Sequence, residues 1–160
     1  MNELTLRKMT SSEFDIFRSR EIHEYAMQQV RVGYWTEEEA EACSVKQIDS
    51  LLPEGIDTTE MLLLIAENVD GIAIGHVWVA LQSRPGSATS AWIYGIQIES
   101  EERGNGYGRA LLLAAEQEIV QRGIGVIGLN VFGPNKVARN LYESAGYQVT
   151  SMHMQKELPN

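Results

Sequence analysis

The stretch that decides the fold is glycine-rich and runs Arg103-Gly104-Asn105-Gly106-Tyr107-Gly108-Arg109. It follows a β-rich segment, residues 88–98, and precedes an apolar pattern at helical spacing that ends at Gly123. The next apolar segment, residues 126–131, is predicted to be a buried strand, parallel to the first if the crossover is the usual right-handed one. Strand, glycine turn, helix and strand together predict a βαβ unit.

The first half of the chain predicts two helices and an antiparallel hairpin. Alternation of apolar and polar residues predicts a short strand around Leu4. Capping boxes at Thr10 and Thr36 should begin two helices, and the second should end near Leu52. The apolar segments 61–66 and 72–81, separated by a turn, are typical of a hairpin.

The end of the chain predicts one more helix and one more strand. Pro134 should open the helix, Gly146 should cap it, and a strand from Tyr147 to Leu158 should close the sheet. We therefore expect one α/β domain over residues 1–160, with a mixed, mostly antiparallel sheet, a parallel βαβ pair in its middle and helices on both faces.

Composition narrows the function classes. The 160 residues carry a formal net charge of -9, which argues against a general nucleic-acid binder and suits a cationic partner. The single Cys43 and three scattered histidines predict neither a disulfide framework nor a metal site. The N-terminus lacks signal-peptide features and the densest apolar run is too short for a membrane span, so a cytoplasmic protein is expected.

The glycine stretch has the chemistry of a phosphate cradle. Residues without side chains let backbone N–H groups approach an anion, and the helix N-terminus adds partial positive charge. A dinucleotide fingerprint would need a glycine where Arg109 stands, and a nucleoside-triphosphate loop would need Gly-Lys-Ser/Thr, which is absent. A tight turn that binds no ligand stays open as an alternative.

Two motifs carry a family resemblance. Arg103, Gly106 and Gly108 match the pattern (Q/R)-x-x-G-x-(G/A), and the pattern N-x-x-A-x-x-L-Y-x-x-x-G-(F/Y) follows after a helix and a strand. The residues that match the second pattern are Asn135, Ala138, Leu141, Tyr142, Gly146 and Tyr147. In this order the motifs resemble those of the GNAT-superfamily N-acetyltransferases, and the order of elements along the whole chain is similar.

The resemblance implies acetyl-CoA as the acyl donor, with no metal. The backbone of the strand before the loop would hold the pantetheine, the loop amides would hold the pyrophosphate, and the last helix would add further contacts. The implied cofactor-binding residues are Ile96, Gln97, Ile98, Arg103, Gly104, Asn105, Gly106, Tyr107, Gly108, Arg109, Asn135, Ala138 and Tyr142.

The resemblance also implies catalytic roles. Tyr142 stands where the family keeps a general acid that protonates the leaving CoA sulfur. Where many relatives carry a glutamate as the base, this chain has Asn130, which cannot accept a proton but could position a water. The remaining candidates for the base are Tyr94, His76, Glu67 and Glu99.

The acceptor is expected to be a small-molecule or peptide amine bound near the first two helices. Tyr34 and Trp35 could contact a cation through their rings, beside the acidic segment 37–41 and a turn near Pro85, or they could simply pack a helix onto the sheet. Membranes and nucleic acids are not expected partners, and a monomer or homodimer is expected. A non-catalytic acyl-CoA-binding module, and an enzyme that uses another acyl donor, remain alternatives.

Overall fold

A computed structural model describes residues 2–82 and 89–160. This part of the chain contains five strands, four helices and two short 3₁₀ turns. In chain order they are β1 (Leu4–Lys8), α1 (Ser11–Arg31), α2 (Glu37–Leu51), a 3₁₀ turn (Gly55–Asp57), β2 (Met61–Asn68), β3 (Ala73–Ala80), β4 (Ser90–Ile98), a second 3₁₀ turn (Ser100–Glu102), α3 (Tyr107–Val120), β5 (Val126–Leu129) and α4 (Lys136–Ser144).

The strands form one mixed sheet in the order β1-β2-β3-β4-β5. The first three pairings are antiparallel, and β4 and β5 are parallel, as the hairpin and βαβ patterns predict. The parallel pairing is short, because it begins with Ser90 opposite Val126 and ends with Ile93 opposite Leu129. β4 continues for five residues beyond that point, to Ile98.

Helices α1 and α2 cover one face of the sheet. Each begins at a predicted capping box, with Thr10 and Thr36 as N-caps whose hydroxyls accept from the backbone N–H three residues on. The core beneath them combines apolar residues of both helices, β2 and β3, among them Phe14, Phe17, Ile22, Ile48, Leu52, Leu63, Ile65 and Trp78.

Helix α3 covers the other face. Side chains of successive strand residues point to opposite faces, and the residues that alternate with the first core are also buried: Leu62, Leu64, Ala66, Val77 and Val79. α3 contacts β1 and β4 and buries Leu111, Leu112 and Ile119. The predicted α/β class with helices on both faces is confirmed.

The predicted position of the parallel pair is wrong, since it lies at one end of the described sheet. The expected strand from Tyr147 to Leu158 is not formed: residues 147–160 have no regular secondary structure, and residues 148–160 are exposed. A strand is stable only when its backbone groups pair with those of a neighbouring strand, so alternation of apolar and polar residues in this segment is not sufficient to form one. Helix α4 also begins later than predicted, with Asn135 as its N-cap and Pro134 before it.

The described chain divides into two compact units, Met1–Leu129 and Asn130–Asn160. The first contains the whole sheet with α1, α2 and α3, and the second contains α4. The extent of a single domain over residues 1–160 stays a prediction. Among the described helices, none has the length and apolar content needed to cross a membrane.

An ion cluster ties β1 to α1 and β2. The Arg7 guanidinium donates to both carboxylate oxygens of Glu13 at 2.8 Å and to Glu67 Oε1 at 2.5 Å. Glu13 also accepts from the Thr10 amide within the capping box. The hydrogen bonds from Arg7 and then from Thr10 lower the pKa of Glu13 to about 2.

We predict that Glu13→Gln reduces stability at neutral pH and makes it less sensitive to acid. A depressed carboxyl pKa stabilises the folded state above the unfolded value of 4.5, and this contribution disappears as the pH falls through about 2. Because Arg7 is partly exposed, the difference in unfolding free energy at pH 7 should be only about 0.5–1 kcal/mol. Glutamine at this position still fits a capping box.

The measurement is urea denaturation of both proteins at several pH values between 7 and 3. The gap between them should narrow with acid, whereas Glu157→Gln in the exposed C-terminal segment, which removes the same charge, should show no gap. A gap independent of pH would contradict this account of the cluster.

Candidate active site

The N-terminus of α3 carries no side-chain cap. Its N-cap is Gly106, in a left-handed conformation with a φ of +81°, and no side chain accepts from the first turn. The other three described α-helices are capped by Thr10, Thr36 and Asn135. The first N–H groups of a helix have no intrahelical partner, and uncapped they suit an anionic group.

The loop before α3 is open to an approaching ligand. Gly104, Asn105 and Gly106 are exposed, and a Cβ atom added at either glycine would meet nothing within 4 Å. Both glycines have a φ of +81°, which favours residues without a side chain. Asn2 donates to the carbonyl of Asn105, and Arg103 Nε donates to that of Ile98 at 3.0 Å. The loop is therefore joined both to the N-terminus and to β4.

Beyond Ile93, the edge of β4 that pairs with β5 has no strand beside it among the described residues of the unit Met1–Leu129. The Glu99 amide donates to the Ile74 carbonyl at 2.8 Å, and the register pairs Gln97 with His76. Backbone groups of successive residues point to opposite edges of a strand, so Gln97 faces β3 while Ile96 and Ile98 face the other way, past the end of β5. The open edge thus consists of the backbone groups of Ile96 and the N–H of Ile98, whose carbonyl accepts from Arg103 Nε.

Tyr94 lies in a β-bulge at the start of this open edge. The register pairs Trp78 with Gly95 and Val79 with Ile93, which leaves Tyr94 without a partner on β3. Its ring packs on Trp78, with centroids 4.8 Å apart, and burial raises the pKa of its hydroxyl. A raised pKa keeps the phenol protonated at neutral pH, which favours a donor over the predicted base.

Two other base candidates are held in ion pairs. Glu67 accepts from Arg7 in the cluster described above, and Glu99 accepts from Arg20 on α1 at 2.7 Å. Each of these carboxylates is thus engaged by a guanidinium. Through these contacts Glu67 helps to join β2 to β1, and Glu99 helps to join the end of β4 to α1.

His76 lies beneath α1 and pairs with Glu21, a partly buried residue of that helix. His76 is 4% exposed and packs edge-on against Phe17, with centroids 5.1 Å apart. Its Nε2 lies 3.3 Å from Glu21 Oε1. The Glu21 carboxylate also lies against β4, since a Cβ atom at Gly95 would be 3.0 Å from Oε1.

Sequence reasoning missed Glu21, although a signal for it exists. Glu21 lies four residues after Phe17 and four before Tyr25, on the stripe that packs on the sheet. A charged residue on such a stripe is seldom buried without a partner, and here it finds one in His76. Whether His76 has a catalytic role stays a prediction.

The unit Asn130–Asn160 holds the second motif. Asn135 Oδ1 accepts from the Ala138 amide at 3.2 Å, so its carbonyl oxygen serves as a helix cap. Tyr142 packs against Tyr147, with ring centroids 5.6 Å apart, and burial raises the pKa of its hydroxyl. Because its pKa is raised, Tyr142 is a protonated donor at neutral pH. Asn130 is exposed and directly follows β5.

Of the two aromatic side chains expected to contact the acceptor, only one is well exposed. The Trp35 ring packs edge-on against Tyr25, with centroids 5.5 Å apart, which is the structural alternative considered for it. Tyr34 is 46% exposed and remains accessible. The turn near Pro85 lies outside the described residues.

Across residues 2–82 and 89–160, no three His, Cys, Asp or Glu side chains are grouped to hold a metal ion.

A groove of about 870 Å³ runs between β1 and α3. Its lining includes Leu4, Val69 and Val120 but none of the predicted site residues. Shape alone therefore points to a different surface from the one indicated by the uncapped helix and the open strand edge. Those two features carry backbone groups that suit an anion and an amide, and they define the candidate site.

Comparison with known proteins agrees with this architecture. The family model described as Acetyltransferase (GNAT) family matches residues 22–147. The chain is 30% identical over 155 residues to the uncharacterized N-acetyltransferase YycN of Bacillus subtilis strain 168, covering 97% of this chain and 99% of YycN. It is also 30% identical to YdgE of the same organism, covering 96% and 98% of the two chains.

Solved structures show the same fold. The crystal structure of YycN superposes with a TM-score of 0.92 at 30% identity, covering 99% of this chain and all of that one. The structure of AAC(6')-Iy in complex with a CoA-containing bisubstrate analogue is similar in fold only, with a TM-score of 0.59 and 16% identity over 99% of both chains. The match of the family model, together with near-full-length identity to YycN and YdgE, shows that this chain belongs to the acetyltransferase (GNAT) family.

Proposed function

We propose that the protein is an N-acetyltransferase that moves an acetyl group from acetyl-CoA to a primary amine by direct attack, without a covalent enzyme intermediate. The observation that carries this proposal is the uncapped N-terminus of α3, which follows directly after the open edge of β4. Cys43, the only cysteine, lies half-buried in α2 and has no role in it.

The residues present fit acetyl-CoA at two places. The exposed loop of Gly104, Asn105 and Gly106 leaves room for a pyrophosphate, which would accept from the amides of the first turn of α3, with Arg103 and Arg109 adding positive charge. The backbone groups of Ile96 and the N–H of Ile98 can bind the amides of a pantetheine arm as a further strand would. Because the Gln97 backbone faces β3, we assign this binding to Ile96 and Ile98.

The last helix would supply the remaining contacts. Asn135 caps α4 through its oxygen, so a cofactor contact from this residue would use its amide nitrogen, with Ala138 beside it. When bound, acetyl-CoA supplies an activated acyl group and a thiolate leaving group. We assign the protonation of that thiolate to Tyr142, whose raised pKa keeps its proton available at neutral pH.

The acceptor must lose a proton before it can attack. An amine with the pKa of a lysine side chain, about 10.4, is almost entirely protonated at neutral pH. Asn130 cannot take that proton, and the high pKa of Tyr94 disfavours it as a base, so in this proposal both are residues that orient water or substrate. An exposed Tyr34 and the acidic first turn of α2 favour a cationic acceptor.

Acetyl-CoA is expected to raise the melting temperature, while NAD and ATP at equal concentration raise it much less. A ligand that binds only the folded state stabilises it by about 2.7 kcal/mol at a hundred times its Kd. Gly106→Val should abolish the shift by placing a branched side chain where the pyrophosphate binds. Differential scanning fluorimetry measures the shifts.

Gly123→Val provides a matched control for backbone strain. Gly123 follows the other end of α3, has a φ of +77° and also has open space around it. Both variants should therefore lose similar stability, but only Gly106→Val should lose the response to acetyl-CoA. Equal shifts from acetyl-CoA, NAD and ATP would argue against the cofactor assignment.

Tyr142→Phe should leave acetyl-CoA binding intact and lower kcat. The change keeps the ring and removes the hydroxyl, and general-acid contributions are roughly 10²–10⁴-fold. The control is Tyr147→Phe, which removes the hydroxyl of the neighbouring ring. CoA release measured with a thiol reagent gives kcat, and a loss smaller than tenfold in Tyr142→Phe would make Tyr142 a structural residue.

The charge of the acceptor can be tested by ionic strength. A net charge of -9 should speed encounter with a cationic amine, and this advantage should decline above about 0.15 M salt, where the Debye length is roughly 8 Å. We expect kcat/KM for the best amine to fall with salt while acetyl-CoA is kept saturating. A flat or rising value would indicate a neutral or acidic acceptor.

A further inference from the structure

We propose that Glu21 is the base that takes the proton from the acceptor amine and that His76 positions its carboxylate. This inference rests on the proposed function and assigns the one role that the sequence motifs leave without a residue. It depends on three features of the structure: the place of Glu21 on α1, its contact with His76, and the glycine opposite it on β4.

The carboxylate lies beside the strand segment where the acyl group would be held. A Cβ atom at Gly95 would lie 3.0 Å from Glu21 Oε1, so the carboxylate lies close against the backbone of Gly95 and would have to give by a few tenths of an ångström to admit a side chain there. Gly95 directly precedes Ile96 on the open edge, and consecutive Cα atoms are about 3.8 Å apart. Glu21 is thus within a few ångströms of the backbone that would bind the acyl end of the pantetheine arm.

Glu21 is also held in one orientation. Its carboxylate can only accept a hydrogen bond, so Nε2 of His76 carries the proton that joins them across 3.3 Å. His76 in turn is fixed by the ring of Phe17. The Glu21 side chain is 17% exposed against 5% for His76, so Glu21 has some access to a substrate while His76 has almost none.

Glu21 differs from the other carboxylates near the site. Glu99 is paired with Arg20, and Glu67 is paired with Arg7. No arginine or lysine is bonded to Glu21 among the ion pairs of the described residues, where its partner is a histidine. Its negative charge therefore remains usable for binding an ammonium group and accepting a proton.

The reaction balances with these groups. The ammonium of the acceptor gives one proton to the Glu21 carboxylate, directly or through one water. Its nitrogen then forms a bond to the acyl carbon, the carbon–sulfur bond breaks, and the sulfur takes a proton from Tyr142. The second proton of the nitrogen leaves to water, and the Glu21 proton follows it, while Tyr142 is reprotonated from solvent, so that one net proton is released.

The test compares Glu21→Gln with the unmodified protein, using the best amine from a screen. Glutamine keeps the shape and can still bond to His76, but it cannot accept a proton. We expect kcat to fall roughly 10²–10⁴-fold, with the thermal shift from acetyl-CoA unchanged. Glu24→Gln, an exposed position one turn further along α1, removes the same charge and should keep its activity.

A second acceptor separates proton transfer from positioning. An acyl hydrazide analogue of the best amine is already neutral at pH 7 and needs no base before attack. The loss in Glu21→Gln should therefore be much smaller with this analogue. An equal loss with both acceptors, a kcat within threefold of the unmodified value, or a rise in KM alone would each overturn the assignment of Glu21 as the base.

Gly95→Ala gives an independent test that leaves Glu21 chemically intact. The added methyl group would displace the carboxylate, whose flexible end can move, so the fold should persist. We expect a partial loss of kcat with acetyl-CoA binding retained, and unchanged kcat would contradict the proposal. If the unmodified protein binds acetyl-CoA but turns over no amine, both the proposed function and this inference are contradicted. If activity survives in Glu21→Gln, only the inference is contradicted.

Discussion

The candidate site depends on one constraint: the hydrogen-bonded pairing between β4 and β5 ends well before β4 does. β5 has only four residues, so its pairing stops at Ile93 and Leu129 while β4 runs on to Ile98. Buried backbone groups need partners, and the strand edge at Ile96 and Ile98 has none from a neighbouring strand in its own unit. A ligand with amide groups can meet that need.

The glycine loop and the base proposal both follow from this geometry. The loop begins where β4 ends, and Arg103 returns to the Ile98 carbonyl, which places the uncapped start of α3 next to the open edge. On the α1 side of β4, the absence of a side chain at Gly95 lets Glu21 reach the strand. One strand therefore presents backbone groups along its edge and a carboxylate above its face.

Sequence predicted the elements whose signals are local. The capping boxes at Thr10 and Thr36 and the glycine turn at 103–106 depend on neighbouring residues, and the structure bears them out. The expected strand after Tyr147 failed because pairing depends on a distant partner. Glu21 was missed for a similar reason: its partners, His76 and Gly95, are 55 and 74 residues away, and helical spacing alone does not identify them.

Amide hydrogen exchange with and without acetyl-CoA tests the central claim most directly. Bound backbone N–H groups exchange more slowly, so the account predicts that acetyl-CoA protects the amides of Ile96 and Ile98 and those of residues 106–109, and that NAD does not. Protection confined to the groove between β1 and α3, with the β4 edge and the start of α3 unchanged, would contradict it.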